Sequence, residues 1–222
     1  MPVIRIKTTP LDGWGKVVKR TTDILVAALG LLLFSPVFLF VSLAIKVDSR
    51  GPVFFRQRRG SSFRSFEVYK FRTMRFELSE GTARGDLIRE ELERRNVRRG
   101  PYVKIRNDPR VTRVGRFLRQ TKLDELPQLW HILEGEMSLV GPRIHMLKEV
   151  KRFENQHKKI FTIKPGATGL AQINQIYNPE LSFEEEIELD SFYIENWSLW
   201  LDLSIIFKTL VLLLTRPPEG DY

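Results

Sequence analysis

The sequence predicts an α+β fold, predominantly helical with a small β-sheet, held at a membrane by its N-terminal part. Three observations predict it. Ile24 to Ile45 is a run of 22 residues without a charge, about the length that covers the hydrocarbon of a bilayer. Two short segments, Val53–Gln57 and Phe66–Phe71, read as strands. Helix start and stop signals then recur from Arg113 to Ser182.

The 222 residues are 42% hydrophobic and 28% charged, which excludes a disordered or collagen-like chain. Cysteine is absent, so disulfides and thiolate metal sites are excluded, and three histidines leave little for a structural zinc. The net charge of +9 calls for an anionic partner: nucleic acid, a phosphate-bearing substrate or a membrane surface. Residues 56–120 carry 19 basic and 8 acidic side chains, so the excess sits in the middle third.

The N-terminal segment, residues 1–50, contains the apolar helix at about 20–47. Lys46-Val-Asp-Ser-Arg50 is no cleavage site for a signal peptide. Ser35-Pro36 lies in mid-run. Pro36 has no N–H and clashes with the Leu32 carbonyl, and Ser35 can hydrogen-bond one turn back. Both flanks are basic: Lys16, Lys19 and Arg20 before, Lys46, Arg50, Arg56, Arg58 and Arg59 after. Positive flanks stay cytoplasmic, so a hairpin that dips in and returns competes here with an ordinary span and with a buried soluble helix.

Residues 51–222 form the second domain. Gly51-Pro52 marks a turn, and the polar stretch Arg58–Arg64 joins the two strands. Residues 76–103 are charge-dense and read as an exposed helix or mobile insert. Arg113–Gln120 is predicted helical. Leu126-Pro127 starts a further helix that runs to about Leu133 and stops at Gly135. Lys164–Gly169 reads as a loop. Ser182-Phe-Glu-Glu185 is a capping pattern ahead of five acidic residues from Glu184 to Asp190. Leu199–Leu214 is mostly apolar, with Asp202, Thr209 and Arg216 on one stripe and Trp197 and Trp200 at its start. That pattern fits an interfacial amphipathic helix, or a core helix of the domain.

The informative stretch is Arg119-Gln-Thr-Lys-Leu-Asp-Glu-Leu-Pro-Gln128, followed by Ser138-Leu-Val-Gly-Pro-Arg143. Asp124 and Glu125 are adjacent carboxylates among arginines. In the bland account Asp124 caps a helix and Glu125 pairs with a lysine. In the functional account two carboxylates hold Mg²⁺ with substrate phosphates, and arginines grip those phosphates. Alternatively one carboxylate attacks phosphorus and forms an acyl-phosphate. The residues alone indicate a phosphate ester near a membrane.

The sequence resembles the bacterial sugar transferase family, the monotopic phosphoglycosyl transferases. The resemblance rests on Lys19-Arg20 with Asp23, Ser35-Pro36, Gly51–Arg58, Tyr69–Met74, Asp108–Arg119, Leu123–Gln128, Met137–Arg143, Lys164–Gly166 with Thr168-Gly169, and Trp197–Asp202. These lie in order from about residue 19 to 208. The resemblance implies transfer of a sugar-1-phosphate from a UDP-sugar to undecaprenyl phosphate, with UMP leaving, to start a glycan. It implies that Asp124 is the nucleophile and Glu125 its partner, the two also holding Mg²⁺. Arg119, Arg143, Lys70 and Arg72 become phosphate-binding candidates, and Asp190 a weaker candidate for the far side of the site. It implies that Ser35-Pro36 breaks a re-entrant helix, with the protein monotopic on the cytoplasmic face of the bacterial inner membrane, among bilayer lipids. Ile144, His131 and Glu136 stand where proline, asparagine and aspartate are common.

Two other readings stay in view. A membrane-tethered basic adaptor would grip anionic lipid or nucleic acid without catalysis. A nucleic-acid partner is not expected, because the basic residues carry no helix-turn-helix or stacked-aromatic signature. Alternatively Asp124 and Glu125 only bind metal while the lipid phosphate attacks directly. The sugar, the glycan pathway and the oligomeric state are not legible.

Overall fold

The computed structural model describes residues 9–60, 65–79, 81–94, 108–146, 150, 155–178 and 180–215. The chain opens with helix α1, Trp14–Asp48. Strands β1 (Phe54–Gly60) and β2 (Ser65–Phe71) pair antiparallel, Phe54 opposite Phe71 and Gly60 opposite Ser65. After α2 (Ala83–Glu93) come α3 (Arg113–Thr121) and α4 (Gln128–Glu134). Strand β3 (Ser138–Val140) lies parallel to β5 (Gly166–Thr168), and β4 (His145–Met146) adds to the free edge of β1. Helices α5 (Leu170–Tyr177), α6 (Phe183–Glu195) and α7 (Leu199–Thr215) complete the fold.

Local signals account for most ends. Thr112 Oγ1 accepts the Gly115 N–H at 2.9 Å at the start of α3. Gly135, with φ of 85°, closes α4 in the left-handed conformation that glycine adopts without strain. Ser182 and Glu185 form a reciprocal capping box on α6. The loop expected over Lys164–Gly169 contains β5 instead. Three-residue strands are too short to show an alternating pattern, so β3 and β5 escape a sequence reading. The hairpin residues 61–64, residues 95–103 of the charged insert, and Arg216 lie outside the described residues.

Helix α1 is continuous through Ser35-Pro36, so the expected break into two arms is not an interruption of the helix. Pro36 deprives the Leu32 carbonyl of its amide partner, and Ser35 Oγ donates to that same oxygen at 2.8 Å. The replacement donor lets the helix continue. Its packing runs along most of its length. Ala27 is buried with Val68, Ile132 and Met137, while Val41 and Ile45 are buried with Phe71 and Leu118. The opposite side, including Leu25, Leu29, Leu32, Leu33, Phe40 and Leu43, is exposed and apolar.

Helix α7 has the expected stripe, but with the opposite orientation from a helix whose polar side meets water. Asp202 is buried and Thr209 Oγ1 lies 2.7 Å from Thr168 Oγ1, both against the protein. The exposed side carries Trp200 at 78%, Phe207 at 67% and Leu214 at 85%. A polar inner stripe under an apolar outer face suits a helix whose surroundings are lipid.

A buried ion pair ties the two apolar helices together. Lys19 Nζ of α1 meets Asp202 Oδ2 at 2.8 Å. Tyr193 Oη donates to Asp202 Oδ1 at 2.7 Å and Trp197 Nε1 to Oδ2 at 3.1 Å. One turn along α1, Asp23 Oδ1 accepts the Leu139 N–H at 3.0 Å and fixes β3. Removing one partner of a buried pair strands the other charge. Lys19→Met should therefore destabilise the protein by about 3 kcal/mol. Adding Asp202→Asn should restore part of the loss, as read from a double-mutant cycle of unfolding in detergent.

Candidate active site

The site starts at the end of β2. Thr73 and Met74 are held from outside by the segment before α3: Thr112 N–H donates to the Thr73 carbonyl at 3.0 Å, and Met74 bridges to Val111. Asp108 and Arg110 brace that segment through a buried bidentate pair, Arg110 Nη2 to Asp108 Oδ2 at 2.6 Å. Burial opposes ionisation of Asp108, yet Arg110 and then Arg119 hold its carboxyl below the usual range. Gly115 permits the close fit, since a Cβ there would lie 1.9 Å from the Thr73 carbonyl oxygen. These contacts aim α3, and Arg119 Nε reaches Thr73 Oγ1 at 3.0 Å.

Lys122 then turns the chain. Its φ of 58° is the one positive value among the described non-glycine residues, a conformation that costs a side chain energy and concentrates at functional sites. The turn starts a short 3₁₀ segment, Leu123–Glu125, that carries both acids ahead of α4. Asp124 is buried, and its Oδ1 has no hydrogen-bond partner among the described residues. Glu125 is half-buried, and its Oε1 accepts from Lys70 Nζ of β2 at 2.7 Å.

The two carboxyls are pushed in opposite directions. Burial raises Asp124, and the adjacent Glu125 charge raises it further, while Lys70, Lys122 and Arg119 oppose. Burial also works against ionised Glu125, but Lys70, Lys122 and Arg143 outweigh it and hold its carboxyl at about 2. The fold thus gathers Asp124, Glu125, Lys70, Arg119 and Arg143 from β2, α3, the 3₁₀ turn and the loop after β3.

Arg72 goes elsewhere. Its side chain is buried, and its guanidinium caps the end of α1, Nη2 donating to the Ser49 carbonyl at 2.8 Å and Nη1 to that of Arg50. Alternation alone would place Lys70 and Arg72, two residues apart, on one face; Arg72 lies beyond the end of β2, and its guanidinium turns to the end of α1 while Lys70 meets Glu125. Asp190 stands behind Arg143. The backbone N–H groups of Arg143 and Ala171 lie against it, and burial with nearby Glu186 pushes it up to about 7 despite them.

The sequence pattern that defines the bacterial sugar transferases matches residues 14–216. The chain belongs to the bacterial sugar transferase family. It is 39% identical over 222 residues to the Escherichia coli UDP-glucose:undecaprenyl-phosphate glucose-1-phosphate transferase, covering 95% of this chain and 43% of that protein. It is 36% identical over 223 residues to the Erwinia amylovora UDP-galactose-lipid carrier transferase, covering 99% of this chain and 45% of that one. These relatives are thus more than twice the length matched. The exopolysaccharide production protein ExoY of Rhizobium meliloti is 41% identical over 203 residues, 88% of this chain and 85% of its own length.

One sugar-transferase residue escaped the sequence reading as part of the site's frame. His131 of α4 is buried, and its Nε2 accepts the Tyr69 N–H at 3.0 Å, one residue from Lys70. The proton therefore lies on Nδ1, which faces Glu136 at 3.1 Å and Glu134 at 3.3 Å. This trio is the one His/Asp/Glu cluster of metal-binding spacing among the described residues. With the ring nitrogen that faces both acids protonated, it is a hydrogen-bonded brace and not a ligand set.

The raised Asp190 makes stability pH-dependent. Its folded pKa of about 7 exceeds the ordinary 3.8, so its contribution is fully present below pH 4 and is lost as pH rises through 7. Asp190→Asn should remove that slope. Between pH 5 and pH 8 the wild type should lose roughly 2–3 kcal/mol more stability than the variant, as measured by chemical unfolding at both pH values.

Proposed function

We propose that this chain transfers a sugar-1-phosphate from a UDP-sugar to undecaprenyl phosphate and releases UMP, the first step of a glycan. The observation that carries the reading is a buried carboxylate oxygen without a partner among the described residues, with the charges of Lys70, Arg119 and Lys122 acting on its carboxyl. Such an oxygen is costly to bury unless it has work to do. Relatives named for this reaction supply the substrate class. An adaptor for anionic surfaces has no use for that oxygen.

In the proposed first step Asp124 Oδ1 attacks the β-phosphorus of the UDP-sugar. The Asp124–phosphorus bond forms, the bridging P–O bond breaks, and UMP leaves with that oxygen and the bonding pair. In the second step an oxygen of undecaprenyl phosphate attacks the same phosphorus. The acyl-phosphate bond breaks, and Asp124 is regenerated as a carboxylate. Arg119 and Arg143 neutralise the phosphoryl oxygens, and Lys70 holds Glu125 beside the reacting centre. The oxygen donors of Asp124 and Glu125 suit Mg²⁺, and Asp124 Oδ1 has no competing partner among the described residues. Both residues would hold the ion, which when bound offsets the charge of the diphosphate.

The membrane reading follows from α1. At 1.5 Å per residue its 35 residues reach about 50 Å. Lys19 and Asp23 near one end, and Val41 and Ile45 near the other, are all buried against the same body. A simple span would put those ends on opposite sides of the bilayer. We read the protein as monotopic on the cytoplasmic face of the inner membrane, with α1 bending at Ser35-Pro36 without interruption so that both its ends stay at the same leaflet. Tags at residues 1 and 222 should both resist a membrane-impermeant label in intact cells, and a labelled N-terminus would overturn this topology.

The chemistry is tested by incubating the protein with a panel of β-³²P-labelled UDP-sugars, without lipid acceptor. The wild type should gain label and release one equivalent of UMP with at least one sugar. Asp124→Asn should lower both by more than about a thousandfold, and EDTA should suppress both in the wild type. Turnover with acceptor but no labelled protein would mean that the lipid phosphate attacks directly.

A further inference from the structure

A tie between α4 and β2 closes a ring of structure around the dyad. The turn that carries Asp124 and Glu125 leads directly into α4. Helix α4 carries His131, whose Nε2 accepts the Tyr69 N–H at 3.0 Å. The residue after Tyr69 is Lys70, and its Nζ returns to Glu125 Oε1 at 2.7 Å. One ring nitrogen therefore fixes the helix that follows the two acids to the strand that supplies their lysine. Lys70 has little slack to absorb a shift between them, because its side chain is only 24% exposed.

Strand β2 is an edge of its sheet, with β1 on one side. His131 stands where a further strand would pair and takes the Tyr69 N–H. The imidazole is held on several sides. It lies 4.8 Å from the Tyr69 ring and 5.7 Å from that of Phe66. The backbone carbonyl of His131 accepts the N–H groups of Gly135 and Glu136, each at 3.0 Å, and of Met137 at 3.2 Å. Nδ1 faces Glu136 and Glu134, and Glu134 in turn accepts from Trp130 Nε1 at 2.7 Å.

The charged groups around the imidazole come from several elements. Glu134 and Glu136 belong to its own segment. Arg20 of α1 donates to the Ile132 and Leu133 carbonyls, and it stands with Lys164 within 3.4 Å of where a Cβ on Gly135 would lie. Arg56 of β1 lies over the Tyr69 ring at 5.2 Å.

The tie exists in one protonation state only. A backbone N–H donates, so Nε2 must present a lone pair while the proton sits on Nδ1. A second proton would go onto Nε2 and set two donors against each other. The bond is then lost, and Tyr69 or α4 has to move.

We propose that His131 is a positioning residue of the dyad: uncharged, it keeps Lys70 on Glu125 through the Tyr69 N–H, and on gaining a proton it releases that contact. The assignment rests on the reaction proposed above, whose two acids the tie serves. It makes turnover depend on a proton that no reacting atom carries.

The test uses the full chain in nanodiscs of phosphatidylcholine containing undecaprenyl phosphate. Histidine ¹⁵N resonances, assigned with the variants below, read the tautomer. At pH 8 His131 should show a bare Nε2 and a protonated Nδ1, and a protonated Nε2 at that pH overturns the proposal. UMP release is then followed with both substrates varied. His131→Gln sets an amide oxygen near the place of Nε2 and takes up no proton, so its kcat at pH 8 should lie within about threefold of the wild type. His131→Leu offers no acceptor and should lose about tenfold in kcat with both KM values little changed, the usual effect of stranding one buried N–H. From pH 8 to pH 5.5 the wild type should lose about tenfold more of its kcat than His131→Gln. Asp190 and the dyad are present in both proteins, so the difference between the two profiles belongs to His131. Parallel profiles overturn the proposal, and so does a folded His131→Leu with wild-type kcat at pH 8. Near-UV circular dichroism checks folding, and the tautomer and the His131→Gln profile decide the matter even where His131→Leu does not fold. A wild type that releases no UMP from any sugar nucleotide overturns the reaction, and with it the role of His131, whatever the tautomer.

Discussion

A carboxylate removed from water, one of its oxygens without a hydrogen-bond donor among the described residues, stays charged only if cations stand around it. That constraint at Asp124 organises much of the rest of the fold. Lys70 must reach in from β2, Arg119 from α3 and Lys122 from the turn between α3 and α4. Each of these is fixed by something else. The antiparallel β1–β2 pairing sets Lys70, and its neighbour Tyr69 gives its N–H to His131. The Asp108–Arg110 pair and the missing side chain of Gly115 let α3 approach Thr73 closely enough for Arg119 to bond it. Lys122 takes a left-handed conformation so that the chain can reverse within hydrogen-bonding reach of α3. The strain at that residue is a consequence of putting two acids where three cations converge.

A second constraint comes from solvent. Helices α1 and α7 turn much apolar surface outward, beside exposed Lys16, Lys46 and Lys208, and bury Lys19, Asp23 and Asp202. Inward polar groups need partners, and they find one another: Lys19 with Asp202, Tyr193 and Trp197 with the same carboxylate, Thr209 with Thr168. These contacts join the two apolar helices to the body that holds the dyad. The exposed apolar surface and the site are therefore parts of one packed unit, and packed units transmit displacement instead of absorbing it.

Much of this was legible in the sequence because it depends on local chemistry. The β1–β2 hairpin showed in two short strand-like runs around a polar turn, α4 in Pro127 and Gly135, and the start of α6 in Ser182 and Glu185. The back-bond of Ser35 was legible from serine's habit of bonding one turn back, but the break it was expected to sharpen is not there, and α1 runs on. What depended on distant partners was not legible. Strands β3 and β5 are three residues each and exist through their pairing across the 25 residues between them. The stripe of α7 was visible, but its direction depends on whether water or lipid lies outside. The motif holding Lys70 and Arg72 gave no sign that one cation turns to Glu125 while the other caps α1. His131 was noted as a departure from the family pattern, but its ties to Tyr69 and Glu136 appear only once α4 lies against β2.

Two adjacent acids in one turn still have to do different things under the proposed reaction, and their surroundings separate them. A nucleophile gains from basicity, and burial makes Asp124 the more basic of the pair. Glu125 is paired with Lys70 and held at about 2, so it stays ionised and is the weaker nucleophile. The same pairing occupies one of its oxygens, whereas Asp124 keeps Oδ1 unoccupied. Exchanging the two environments would give a half-buried, lysine-paired, weakly basic nucleophile beside a buried spectator. Order within the pair therefore matters as much as its presence, and the order is set by which residue the left-handed turn at Lys122 directs inward.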